Sequence, residues 1–509
     1  MSEHIVFLTG KLAEKSLHQV LESMQPEFSY EVRNIGVSVA ALMTVKLIER
    51  RLTALDGIDR IVVPGLCQGD IDALAAQLGV SVERGPKDLK DLPAYFGGKA
   101  FAPDLSRYDV RVFAEIVDAP QIDVAAIVER AERYRRDGAD VIDLGCLPGL
   151  DFPHLEDSVR ALRDAGFTVS VDSLETDELL RGGRAGADYL LSLKESTLWL
   201  ADEVASTPII IPESPGDMDS LYRAVASLTG QGRECLADSI LDPIHFGFTA
   251  SIVRYQQLRE QCPDIPIMMG IGNLTELTEA DTTGINAILF GIISELRITN
   301  VLATEVSPHA RAAVREADSA RRQMFAAREA NSLPKGYSDA LLTTHSRKPF
   351  PSTPEEISEL AGQIRDPNYR VQISEAGIHV FNRDGMSIGQ EPFAMFPELV
   401  QLEDDPPHAF YMGVELARAQ IAWQLGKRYD QDEELGWGVA VPAAVSEEAG
   451  DTARAAHALK PQSRQEFKEE GSTMKASRAR KRKQAEREQT TDNDNSGADD
   501  RDDDRSSND

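Results

Sequence analysis

Three observations predict an α/β chain built around a central (β/α)8 TIM barrel. Eight short apolar runs alternate with helical stretches between residues 108 and 330. The alternation is regular enough to favour a closed barrel over an open doubly wound sheet. Polar residues recur where otherwise apolar runs end, which is where a barrel has its mouth. Shorter alternation in front predicts an N-terminal Rossmann-like α/β domain over 1–105. Mixed patterning behind predicts a small C-terminal α+β domain over 335–442, and residues 445–509 read as a disordered charged tail.

In chain order, HIVFLTG (4–10) reads as a buried strand, followed by an amphipathic helix carrying Leu12, Leu17, Val20 and Leu21. VRNIGVSV, AALMTVKLIERRL, RIVVPG and DIDALAAQLG repeat the strand–helix alternation of a parallel sheet covered on both faces. No GxGxxG is present, so a nucleotide site is only weakly signalled and this domain reads first as a docking or structural unit. GPKDLKDLPAYFGG reads as a linker. The barrel strands are then expected in RVFAEIVDA, ADVIDLGCL, TVSVDS, ADYLLSLKES, TPIIIPES, SILDP, PIMMGIGNL and NAILFGI.

A net charge of −30, from 84 acidic and 54 basic side chains, argues against general nucleic-acid or anionic-membrane binding. It leaves room for a local basic pocket. Cys67, Cys146, Cys235 and Cys262 are scattered without a CxxC pair, which predicts a reducing compartment and neither disulfides nor structural zinc. With no basic, then apolar, leader and no apolar run of about 18 residues, the expected location is cytoplasmic.

Barrel strands should be almost wholly apolar, yet Asp118, Asp143, Asp172 and Asp242 close strands one, two, three and six. Asn273 closes strand seven, and Lys194 lies just past strand four. A helix cap would explain any one of them. Several carboxylates converging on one rim repel each other unless a cation or a donor-rich ligand sits between them. A pterin is such a ligand, because its 2-amino-4-oxo edge offers adjacent N–H groups to a carboxylate.

The ordered motifs resemble those of the dihydropteroate synthases. VSVDS, with Asp172, is similar to the "SVDT" strand of that family. ILDPIHFG, with Asp242, is similar to "ILDPGIGFGKT", and GADVIDLG, with Asp143, to "GADIIDVGGEST". The resemblance implies that Asp172 and Asp242 hold a pterin. It also implies that Asp118 stands where the family has an Asn binding metal and diphosphate, although Asp118 would serve equally as a helix cap. The departures are specific. CLPG replaces the loop that carries a phosphate-contacting Thr and Arg, and GNLT replaces "SRKS", removing its lysine. Asn273 in MGIGNLTEL instead resembles the "GLSN" of pterin-dependent methyltransferases. RITNV keeps Arg297 but not the histidine of "RVHDV", and Arg297 could bind an anion or pair with Glu295 or Glu305.

The whole chain is most similar to dihydropteroate synthase-related proteins linked to tetrahydromethanopterin and C1 metabolism, through GNLTELTEADTTGINAILFGIISEL and HAFYMGVELARAQIAWQLGKRYDQDEELGWG. Leu416, Ala419, Ile421, Ala422 and Leu425 form a core face of that second segment. Tyr429, Gln431, Asp432 and Glu433 read as a solvated helix end or a site. The tail joins a basic run, KASRARKRKQAERE, to an acidic one, and reads as a solubilising segment or a partner-binding arm.

The resemblance implies a transferase of folate or tetrahydromethanopterin synthesis. Asp118, Asp172 and Asp242 would act at the reacting centre, with Asp143, Lys194, Asn273 and Arg297 binding substrate. Mg²⁺ at Asp118 would assist loss of diphosphate, with reduced pterin and arylamine as substrates, and a homodimer is expected by analogy. Two alternatives stay open: a pterin-dependent methyltransferase, whose acceptor would lie on another protein since no DxHxxG motif occurs, and a non-catalytic pterin-binding subunit.

Overall fold

The structure, a computed structural model, describes residues 3–52, 57–87, 89–98, 103–400, 402 and 405–442. The expected tail lies outside the described residues. Two compact units divide the chain, Met1–Leu341 and Leu342–Asp509.

The first unit opens with four parallel strands, β1 (His4–Thr9), β2 (Ser29–Asn34), β3 (Arg60–Val63) and β4 (Ser81–Arg84), in the order β2-β1-β3-β4. Apolar residues in both phases of β1 let each face bury its own layer. Ile5 and Phe7 pack with Leu17 and Leu21 of the helix Glu14–Met24, and Val6 and Leu8 with Ile48 and Leu74 of two further helices. β2 starts earlier than VRNIGVSV predicts, and β4 was not foreseen. Both are edge strands, so half their side chains meet water and the apolar signal is weak. The segment expected as a linker folds in part, with Leu92 buried against Ile5 and Phe7.

Eight parallel strands follow: β5 (Arg111–Ile116), β6 (Val141–Gly145), β7 (Thr168–Asp172), β8 (Tyr189–Leu193), β9 (Thr207–Ile210), β10 (Leu236–Ala237), β11 (Met268–Gly270) and β12 (Asn300–Thr304). They run in the order β10-β9-β8-β7-β6-β5-β12-β11. The remaining seam closes where Ala237 N–H donates to Pro266 O at 3.0 Å and Ala237 bridges Ile267, so the chain forms a (β/α)8 barrel. Phe113, Val141, Leu191, Ile209, Leu236 and Met268 fill its interior as an apolar plug. Everything above that plug belongs to the mouth.

Two strands differ from expectation. NAILFGI is not the eighth strand but part of the helix Thr282–Glu295, and β12 is NVLAT. Its inner face is partly polar: Thr283 Oγ1 and Asn286 Nδ2 each donate to the buried Glu316 at 2.9 Å. An apolar run at this density imitates a buried strand, and only its length tells it from one. The sixth strand is LA rather than SILDP. Beyond it the chain turns sharply, with Ile240 at φ 65°.

A buried arginine ties the last barrel helix, Ala313–Glu329, to the base of β5. Arg321 donates to Val110 O (2.6 Å), Gly138 O (2.8 Å) and Asp318 Oδ1 (2.6 Å), pairs with Asp140, and lies over the Tyr108 ring. Removing one member of a buried charge network leaves the others uncompensated. Arg321→Leu is therefore expected to cost about 3–5 kcal/mol of stability, read as the urea midpoint of the first unit, and an unchanged midpoint would refute this anchoring role.

The second unit has an antiparallel meander, β13 (Arg370–Ser374), β14 (Gly377–Asn382) and β15 (Gly385–Gly389), with the helix Pro406–Leu425 packed on it. Of the polar cluster after that helix, Tyr429, Gln431 and Asp432 are tied into the unit, while Glu433 is exposed. Tyr429 donates to Glu415 Oε2 (2.7 Å), Tyr411 to Asp432 Oδ1 (2.7 Å), and Val371 N–H to Gln431 Oε1 (2.8 Å). Among the described residues no helix is long and apolar enough to cross a membrane.

His408 is fully buried between Tyr369 and Tyr411, with neither ring nitrogen bonded. Burial pulls its basicity below the usual 6.5, against a smaller opposing pull from Asp405. The unfolded chain therefore takes up a proton on acidification before the folded unit does. Stability is full above the unfolded value and is lost as pH falls below it. His408→Leu is expected to flatten part of that acid loss in thermal melts between about pH 7 and pH 5; an equally steep decline in the variant would exclude His408 as its source.

Candidate functional site

The period of two along a strand sends every second side chain into the barrel. On β5, Phe113 belongs to the plug, so Glu115 stands one layer above it. The register places Glu115 beside Asp143 on β6, and Gly145 beside Asp172 on β7. Gly145 makes this layer possible, because a Cβ there would come within 2.5 Å of Glu115 Oε1. One carboxylate oxygen each from Glu115, Asp143 and Asp172 lies within 4.8 Å of the others.

These carboxylates are poorly served with donors. Asp143 is wholly buried, and neither of its oxygens has a hydrogen-bond partner. Ser170 lies alongside and favours the charged form, but its hydroxyl forms no hydrogen bond of normal geometry and burial outweighs it. Burial pushes Asp143 up to about 7. Burial first, then the charges of Asp143 and Glu276, push Glu115 up to about 8. Asp172 is held well above the usual carboxylate range by burial and then by Asp143, Glu115 and Asp238. No lysine or arginine acts on any of the three.

Asp238 follows β10 in the inward phase of Leu236. Its Oδ1 accepts from Tyr255 Oη (2.6 Å) and Ile240 N–H (2.7 Å), and burial still raises it to about 6. Glu276 is fully engaged by donors from Thr304 Oγ1 (3.0 Å), Val306 N–H (2.9 Å) and Ser307 N–H (2.7 Å), which pins the loop after β12.

Of the residues singled out from sequence, the structure brings Asp143 and Asp172 together. Asp118 does not close β5. It lies in the following turn, its side chain 42% exposed and paired with Arg130. Asp242 lies five residues past β10 and accepts from Arg254 Nη2 at 2.7 Å. Asn273 is exposed on the short helix Gly272–Thr275, donating to Leu241 O at 2.7 Å. Lys194 is half-buried at the turn after β8, where its N–H donates to Thr197 Oγ1 at 2.9 Å. Arg297 is a correction. It precedes β12, at the end of the barrel opposite the mouth, because the eighth strand starts after RIT rather than before it.

Glu115 also forms the wall of a cleft of about 660 Å³ that runs outward past Asp118, Arg130, Arg133, Arg136 and Glu305. Arg130 pairs with Asp118, and Arg133 with the buried side chain of Glu305 at 3.1 Å. Arg136 is exposed at the end of the helix Val124–Arg136. Sequence reasoning missed Glu115, Asp238 and these arginines. The inward phase of Phe113 and Leu236 would have found the two carboxylates. The arginines look like any basic helix face.

Residues 3–87 match the profile of a family of unknown function (DUF6513). An uncharacterized protein of Methanocaldococcus jannaschii is 27% identical, over 85% of this chain and 98% of its own length. Among solved structures, Yersinia pestis dihydropteroate synthase with a pterine–sulfa conjugate aligns at 18% identity over 45% of this chain and 95% of its own, with a TM-score of 0.35. The Vibrio fischeri 7,8-dihydropteroate synthase aligns at 12%, over 44% and 94%, with a TM-score of 0.36.

A buried carboxylate without donors lowers stability. Asp143→Leu, in ligand-free protein, is expected to raise the stability of the first unit by about 1–3 kcal/mol. A lower urea midpoint would mean that the carboxylate supports the fold.

Proposed function

We propose that the barrel binds a reduced pterin and joins a hydroxymethyl-dihydropterin diphosphate to an arylamine. The observation that carries this reading is a mouth with two poles: a floor of carboxylates poorly served with donors, and a cleft in which Arg130, Arg133 and Arg136 stand among Asp118, Glu129 and Glu305. A flat heterocycle with an N–H edge satisfies the first pole, and a diphosphate arm the second. Methyl transfer has no anionic leaving group for such a cleft to receive.

The ring edge would lie against Asp172 and Asp238, with Asp242 and Asn273 at the rim where the family resemblance puts ring contacts. Asp143 is buried without a donor and Asp172 is held above the usual carboxylate range by burial, so the floor is complementary to a donor-rich edge before binding. Asp238 and Asp242 already accept hydrogen bonds that the ring would share. The arylamine nitrogen then attacks the exocyclic methylene. A C–N bond forms as the C–O bond to diphosphate breaks, and the amine proton passes to solvent. No protein nucleophile is needed. The chain contributes positioning and stabilisation of the departing charge. A divalent cation bound with the diphosphate would neutralise part of that charge.

Calorimetric titration with hydroxymethyl-dihydropterin diphosphate tests the reading. Wild type is expected to bind, Asp172→Asn to lose binding, and Arg130→Met to bind the diphosphate at least about tenfold more weakly while keeping affinity for the pterin alone. Absence of binding by wild type would sink the pterin assignment. An unaltered affinity in Arg130→Met would move the diphosphate out of the cleft.

A further inference from the structure

We propose that Glu115, Asp143 and Asp172 form a binding site for one hard divalent cation of the Mg²⁺ or Mn²⁺ class. The site stands whether or not the organic ligand is a pterin. The three carboxylates come from consecutive strands and meet with one oxygen each inside 4.8 Å. Metal–oxygen contacts of about 2.1–2.4 Å span oxygens roughly 3 to 4.8 Å apart, so the cluster already has the dimensions of a coordination sphere.

Asp143 supplies the independent observation. It is sealed from solvent, neither oxygen has a hydrogen-bond partner, and one of them lies within 4.8 Å of a carboxylate oxygen of Glu115 and of Asp172. A planar heterocycle entering the mouth meets Asp172 and the rim, and leaves Asp143 unsatisfied beneath it. A small cation held between Asp143 and its half-buried neighbours would compensate all three at once. The adjacent acids are not candidates, since Asp118 is paired with Arg130 and Glu276 accepts three hydrogen bonds.

The donor set indicates the class of metal. It is all oxygen, one carboxylate from each of Glu115, Asp143 and Asp172. Oxygen ligands without imidazole or thiolate favour Mg²⁺, Mn²⁺ or Ca²⁺ over zinc or copper. Three protein ligands leave coordination positions for water or an incoming anion. Glu115, which is both ligand and cleft wall, gives the ion its route in. The cation would then sit where the acidic floor meets the cleft, shared between the strands and the anionic arm of a bound ligand.

The test is a titration of the full chain with Mn²⁺ alone, free Mn²⁺ being followed by electron paramagnetic resonance, with no pterin present. Wild type is expected to show one immobilised Mn²⁺ that Mg²⁺ competes away. Asp143→Asn and Glu115→Gln, checked for folding by circular dichroism, should each weaken it at least tenfold, while Asp118→Asn should not. Weak binding by the acidic C-terminal residues is common to all variants and cancels in the comparison. Lack of an immobilised site in wild type overturns the proposal on its own, as does equal binding by the two cluster variants or loss in Asp118→Asn. Since no pterin enters the titration, the heterocycle reading can fail while this one stands.

Discussion

Closure of the barrel forces every second strand residue into a shared interior, and the site follows from that constraint. An open sheet could let Glu115, Asp143 and Asp172 relax toward water. A closed one, sealed by the Ala237–Pro266 hydrogen bond, holds them above an apolar plug that they cannot enter. Gly145 completes the constraint by omitting the one side chain that would keep Glu115 away from its neighbours. The carboxylates are close because the backbone brings them there, and their mutual repulsion is met by protons, a cation or a ligand.

Such an arrangement lowers stability, and the fold offsets it elsewhere. The plug buries large apolar side chains, Arg321 binds helix to strand in a fully partnered network, and Glu316 and Glu276 are each met by two or more donors. Buried carboxylates as such are therefore tolerated in this protein where donors exist. Asp143 stands out because the chain that serves Glu316 with Thr283 and Asn286 gives Asp143 only the neighbouring Ser170 hydroxyl, outside normal hydrogen-bond geometry.

Much of the barrel was legible because its strands are buried on both faces and so read as continuous apolar runs. The errors came where that signal fails. The helix Thr282–Glu295 is apolar enough to pass for a strand, and this single misreading displaced β12 and carried Arg297 to the wrong end of the barrel. At the site, attention to the last polar residue of each run selected Asp118 and Asp242, which stand in turns beside arginines. Phase within the strand selects Glu115 and Asp238. Asp143 and Asp172 meet both criteria. The cleft arginines are a tertiary fact, since nothing in the spacing of Arg130, Arg133 and Arg136 says which loop their helix face lies against.

The same locality explains how a chain of net charge −30 can hold an anionic ligand. Screening at physiological salt reduces charges to about 8 Å of influence, so the acidic total affects solubility and encounter more than it affects a cleft wall. What decides binding there is the partnership each arginine already has. Arg130 and Arg133 are engaged by Asp118 and Glu305, which hold the guanidinium groups in place and lower their net charge. An entering anion must share or displace those partners, whereas Arg136 forms no ion pair among the described residues beyond its pull on the neighbouring Asp137. A cation on the neighbouring floor would shift that balance by adding positive charge where Glu115 joins the cleft. The acidic floor and the arginine-bearing cleft would then work as one site, with Glu115 as the residue common to both.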